Sequence, residues 1–271
     1  MPHLWMRVAV GLYGLGLVYA LIALTGRREV LDRIILPAVG LGTIFHFVAL
    51  AEAFASSGEL APATISQSES LLAFALMVLF FAVYWRYKTT SPGILVFPLV
   101  FLLSLSAALG QAPPQFSSPL LKSGWIAFHI TLILAGYAAL FFSFVSSLLY
   151  LLQEHSLKSK HMDGVLSRLP ALEVMDAIGF RSLLLGFPFM TLGLIAGSVI
   201  AQLSFGPTYF RDPKILLSIL MWAVYMLLLF TRWSAGWRGR RAAVLSTAAF
   251  LAATVAWAAN YFSSVHRYVA Q

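Results

Sequence analysis

Cysteine is absent from this 271-residue chain. That excludes disulfides, thiolate zinc sites, iron–sulfur clusters and any thiol relay carried by the chain itself. Charge is nearly as scarce: 10% of residues are Asp, Glu, Lys or Arg, against about 25% in a soluble domain. With 60% of residues apolar, most of the surface must face something other than water. No long polar segment is present to build a separate soluble domain, so residues 1–271 read as a single integral-membrane domain. A Gly-rich phosphate loop, an HExxH helix and a Gly-x-Ser-x-Gly elbow are all missing, which leaves no hydrolase or kinase signature and no catalytic residue to nominate. Glu52 and Glu69 fall near one face without forming an acid pair at catalytic spacing. No internal repeat is evident, so an inverted-repeat transporter finds no support.

What the chain has is apolar runs, near 4–25, 34–55, 69–87, 93–110, 123–152, 180–203, 214–232 and 242–263. A membrane-crossing helix needs roughly 20 such residues. The reading is therefore an all-α polytopic bundle of about eight spans. The first run lacks a basic n-region and an A-x-A end, and reads as a retained span, not a cleaved signal. The fourth is short and opens at Pro92-Gly93. The fifth, about 43 Å long at 1.5 Å per residue, must tilt or project from the bilayer. Between the fifth and sixth, Gln153 to Asp176 is polar. Its Leu166, Leu169, Leu172 and Met175 recur every third residue, which predicts a short helix lying on the interface.

The net charge of +8 comes from basic residues scattered through short loops. No basic stripe accompanies stacking aromatics, so the charge marks topology and not nucleic acid. One set of loops holds Arg27, Arg28, Arg33, Arg86, Lys88, Lys158, Lys160, Arg168, Arg181, Arg232, Arg238, Arg240 and Arg241. The opposite set holds only Arg7, Lys122, Arg211, Lys214 and Arg267. The positive-inside rule makes the richer side cytoplasmic and puts both termini outside. Trp85, Trp233 and Trp237 then fall at the inner interface and Trp5 and Trp125 at the outer one, as aromatic belts do.

Chemistry concentrates in the histidines. His155 and His161 lie in the cytoplasmic polar stretch and His3 at an outer end. His129 sits about two turns into the fifth span from the outer face, His266 at the outer end of the eighth, and His46 within the second, between Phe45 and Phe47. An imidazole in a bilayer is costly without a partner. Two at similar depth on different helices suit axial coordination of a haem iron; each alone also suits an ordinary helix–helix hydrogen bond. The outer loop Phe205 to Lys214 carries three aromatics with Gly and Pro, which suits an apolar shelf or a plain interfacial turn. Arg211 and Lys214 are placed there to pair with carboxylates such as haem propionates. Gly193-x-x-x-Gly197 in the sixth span is a close-packing pattern, and Pro188 should kink that helix.

Several segments jointly look familiar. They are Glu69-Ser70-Leu71-Leu72, Trp125-Ile126-Ala127-Phe128-His129 with Ala135-Gly136-Tyr137-Ala138, Leu172-Glu173-Val174-Met175-Asp176 with Leu185 to Gly193, Trp237 to Ala243, and Asn260 to Tyr268. Together they resemble the CcsA/CcmC cytochrome c assembly superfamily and, within it, the HemX/YpjD-like branch. Members carry a tryptophan-rich outer loop, W-G-x-Y-W-x-W-D-P-K-E, flanked by two axial histidines. That pattern falls on 205–215 without a gap. Gly206, Asp212, Pro213 and Lys214 match, whereas Phe205, Tyr209 and Arg211 replace the tryptophans, Thr208 the tyrosine and Ile215 the glutamate.

The resemblance implies non-covalent haem at the outer face, with His129 and His266 on the iron and Phe205, Tyr209, Arg211, Asp212 and Lys214 around it. His46 matches no family ligand and stands last among the candidates. It also implies a bacterial cytoplasmic membrane location, and lipid, other cytochrome c assembly proteins and apocytochrome c as partners, the thiols coming from the apocytochrome. The degenerate loop points to a haem-handling assembly factor, not a complete haem lyase. The alternative is a HemX-like scaffold or regulator of tetrapyrrole metabolism that has lost the haem platform.

Overall fold

The computed structural model describes residues 2–23, 31–58, 61–62, 64–110, 124–160 and 169–258. Within them the apolar runs become eight helices and no strand, as a bilayer demands, because a helix satisfies its backbone hydrogen bonds internally. They are α1 (Pro2–Ala23), α2 (Leu31–Ser57), α3 (Ile65–Tyr87), α4 (Gly93–Leu109), α5 (Gly124–Ser159), α6 (Leu172–Phe205), α7 (Pro213–Trp233) and α8 (Arg240–Ala258). A 3-10 turn, Gly206–Arg211, joins α6 to α7. Six helices, α1–α3 and α5–α7, are long and apolar enough to cross a membrane. The apolar α4 has 17 residues, and α8 has 19 and opens on two arginines. The chain is a multi-pass helical membrane protein.

Helix ends follow local chemistry. The Thr64 side chain accepts from Gln67 N at 3.1 Å and starts α3, meeting one of the backbone donors that every helix start leaves open. Lys88 closes α3 in the left-handed region, at φ 52°. One expectation is corrected between α5 and α6. Leu172 and Met175 belong to α6 itself, and Leu169 is buried just before it, so no separate interfacial helix includes them; Leu166 lies outside the described residues. The three-residue spacing is the opening of an inward stripe that continues through Ile178, Gly179, Ser182 and Leu183, all buried. A helix face buried at i, i+3 and i+4 has that period wherever it packs. With 36 and 34 residues, α5 and α6 run about 54 and 51 Å. Both outreach a hydrocarbon core of about 30 Å.

α5 divides the interior. On one side Phe142, Val145 and Leu149 join Tyr13, Tyr19, Phe80 and Phe97 of α1, α3 and α4. On the other, Leu140 joins Leu183, Met190, Met221, Tyr225 and Ala253 of α6, α7 and α8. The most extensive helix contact is α5 on α6. Small residues bring their backbones together: a Cβ on Gly186 would lie 2.9 Å from that of Ala139. Outward positions are apolar, Leu203, Ile34 and Val255 among them. Trp85 and Trp233 are strongly exposed at one end of the bundle and Trp125 at the other.

Several polar groups inside pair across helices. Arg232 of α7 grips Asp176 of α6 through two parallel bonds, Nη1 to Oδ1 at 2.9 Å and Nη2 to Oδ2 at 2.8 Å, the fork geometry that makes arginine–carboxylate pairs strong. Gly239 N, at the entry to α8, donates to the same carboxylate at 3.3 Å. Beyond Pro188 within α6, the Thr191 hydroxyl donates to Phe187 O at 2.8 Å and accepts from the Trp222 indole of α7 at 2.9 Å.

The cysteine-free background makes the orientation directly testable. A cysteine at exposed Phe210 should react with a membrane-impermeant maleimide in intact cells, and one at exposed Ala235 only after permeabilisation. The reverse pattern would invert the topology read from the basic loops.

Candidate functional site

His129 lies in the second turn of α5, and the contact between α5 and α6 decides what its ring can do. Opposite it on α6, Gly193 and Gly197 present bare backbone. His129 Nδ1 stands 2.7 Å from Gly193 O. A Cβ on Gly197 would meet the ring at 2.5 Å from Cε1 and 2.7 Å from Nδ1. The Gly-x-x-x-Gly pattern is thus a notch filled by an imidazole, and not only a seam between helices. A carbonyl oxygen only accepts, so Nδ1 carries the proton and Nε2 keeps its lone pair. Histidine ligands of metals are held this way, one nitrogen donating to a carbonyl while the other faces the metal.

The 206–214 segment stands at the same end of the bundle. Gly206 turns the chain out of α6 at φ +64°, a conformation glycine adopts at no steric cost. Phe210 is 51% exposed and Arg211 is exposed beside it. Asp212 is buried at 4% exposure, and its carboxylate accepts from Lys214 N at 2.9 Å as the cap of α7, with Pro213 in the first helical position. Asp-Pro is a helix-start signal in its own right, so Asp212 serves the fold whatever else it touches. Lys214 sits in the first turn of α7, at the end of the bundle where His129 stands.

The structure thus brings together His129 and Lys214, with Arg211 on the adjoining turn. The side chains of Phe205 and Tyr209, and the whole of His266, lie outside the described residues. His46 belongs to another group. It is fully buried among α1, α2 and α3, with Nδ1 3.3 Å from Tyr13 Oη and Nε2 2.9 Å from Ser70 Oγ. Phe74 packs edge-on against it, centroids 5.8 Å apart. Both nitrogens are engaged, and the ring works as a three-helix latch. Glu69 accepts from Ser106 Oγ at 2.6 Å, joining α3 to α4. Among the described residues no group of three or more His, Asp or Glu side chains is placed to hold a metal ion.

Sequence reasoning nominated His129 but missed the residues that set it, Gly193 by its carbonyl and Gly197 by its missing side chain. The signal was present: a two-glycine stripe and a lone histidine, each near the same end of the bundle.

Residues 63–265 match the family described as cytochrome C assembly protein. The match opens after His46, contains His129 and the 206–214 segment, and closes one residue before His266. A cytochrome c biogenesis protein CcsA from Guillardia theta is 30% identical over 204 residues, covering 68% of each chain. A protein of the same name from Chlamydomonas reinhardtii is 33% identical over 150 residues, 55% of this chain and 40% of that one. A protein HemX from Brevibacillus brevis is 33% identical over 132 residues, 49% and 48% of the two chains.

Gly197→Ala should force the imidazole out of its notch or push α5 from α6, costing about 1–3 kcal/mol as overpacking does. Gly11→Ala, with nothing within 4 Å of the added carbon, should leave that contact intact. Thermal unfolding in detergent compares the two; equal midpoints would mean the notch is not tight.

Proposed function

The chain belongs to the cytochrome c assembly protein family, and on that premise we propose that it works in cytochrome c biogenesis by handling haem at the outer face of a bacterial cytoplasmic membrane. The observation that carries the reading is the His129 ring, fixed by Gly193 O so that Nε2 keeps its lone pair. A carbonyl on one ring nitrogen favours the tautomer that leaves the other able to accept, the arrangement in which metal-ligating histidines are held.

In this reading His129 supplies one axial nitrogen and His266 the other, with Phe205 and Tyr209 as the aromatic platform. Arg211 and Lys214 are the cations for the propionates, Lys214 in the first turn of α7. Asp212 contributes by capping α7, which holds Lys214 in register. His46 contributes by latching α1, α2 and α3. When bound, the haem supplies the porphyrin that the thiols of an apocytochrome take up, and this chain, lacking cysteine, holds and presents it. Both termini lie outside, residues 1–271 form one integral-membrane domain, and the partners are lipid, other assembly proteins and the apocytochrome. The role is that of an assembly factor, not a complete haem lyase.

A second reading, a HemX-like scaffold or regulator of tetrapyrrole metabolism, is favoured by one feature. Arg211 is a charged, exposed residue at a position the family fills with tryptophan, and it removes apolar surface from the platform.

Absorption of protein purified from haem-replete membranes separates the two. The haem-handling reading expects a Soret band of bis-imidazole type that is lost in the His129→Ala, His266→Ala double variant. A preparation that stays colourless after haem addition, while the double variant still co-purifies with the same partner proteins, would establish the scaffold.

A further inference from the structure

At the opposite end of the bundle from His129, α5, α6, α7 and α8 enclose a small cavity of about 10 Å³. Its wall includes Ser143, Ser146, Met175, Asp176, Arg232 and Ser246. That is a concentration of hydroxyl and charge unusual for a span interior, where a polar group without a partner is costly.

Most of these groups are satisfied. Ser143 Oγ and Ser246 Oγ share a hydrogen bond at 2.9 Å between α5 and α8, and Asp176 and Arg232 hold each other. Ser146 is the exception. It is fully buried, it faces the cavity, and its Oγ has no hydrogen-bond partner among the described residues. Packing alone does not call for this hydroxyl, since an alanine would let the helices approach as closely.

We propose that this cavity is a binding site for a single ordered water, with Ser146 Oγ as one of its partners. The volume suits about one water and nothing larger. The walls offer what a water needs: a hydroxyl that both donates and accepts, and a carboxylate. Asp176 accepts three bonds, from Arg232 twice and from Gly239 N, which leaves acceptor capacity on a group with about four lone-pair sites. A cation is disfavoured by the Arg232 guanidinium on the wall, and an anion by Asp176. A neutral molecule with two donors and two acceptors suits both. The site does not depend on the haem reading, since no residue is shared with the His129 group.

Four methionines at 2% exposure or less make the test internal to one protein. Met175 is 1% exposed and lines the cavity; Met77, Met190 and Met221, at 0, 1 and 2%, do not. Hydroxyl radicals generated in oxygen-18 water from the bound molecule should oxidise Met175 several-fold faster than the other three, in the full chain in nanodiscs. Ser146→Val, which fills the space, should bring Met175 down to their rate and leave theirs unchanged. Equal rates at all four methionines in the unaltered protein, or a Met175 rate unaffected by Ser146→Val, would overturn the proposal. Should the valine variant fail to fold, the comparison within the unaltered chain decides alone.

Discussion

The hydrogen bond from His129 Nδ1 to the Gly193 carbonyl joins the two longest helices, at the end of the bundle where the 206–214 segment lies. At Gly193 the missing side chain makes room for Ile133 of α5, which a Cβ there would meet at 2.8 Å. The bond also requires room for an aromatic ring one turn further on, hence a second glycine at 197. The α5–α6 contact, the extent of both helices and the position of the loop that follows α6 all bear on this one bond. Shift α6 by a residue and the imidazole meets a side chain in place of the notch.

A bilayer offers no water to repair an unmet polar group, and the chain answers in three different ways. His46 is closed off, with both nitrogens bonded to hydroxyls of neighbouring helices. His129 is tied by one nitrogen, Nδ1, to the backbone of the neighbouring helix. Asp176 and Arg232 neutralise each other at the basic-loop end, where Arg232 also lies over the Phe180 ring at 4.6 Å. The end near α8's opening arginines is thereby tied together.

The helices were legible because apolar length is a direct consequence of crossing a membrane, and the runs near 69–87 and 214–232 fall almost on α3 and α7. The start of α6 was not. Glu173, Asp176 and Arg181 make its first turns look like a loop by composition, whereas Asp176 is spent on Arg232 and its neighbours face inward. At the site, His129 and Lys214 were visible as residues, but the geometry between them was not. Which face of α5 meets which face of α6 depends on crossing angle and register, neither of which one helix's sequence encodes. Asp212 was legible as a helix start, since a carboxylate before proline is a cap signal in its own right. His46 looked like a ligand candidate because its partners, Tyr13 and Ser70, lie on two other helices.

The claim on which the function rests is that the free nitrogen of His129 binds iron. Low-temperature EPR of the haem-loaded ferric protein, with nitrogen-15 histidine incorporated, reads that directly. A low-spin signal coupled to two imidazole nitrogens, one of which disappears in His129→Ala, is the expected result. A high-spin signal without histidine coupling, or a low-spin spectrum that survives His129→Ala unchanged, would contradict it.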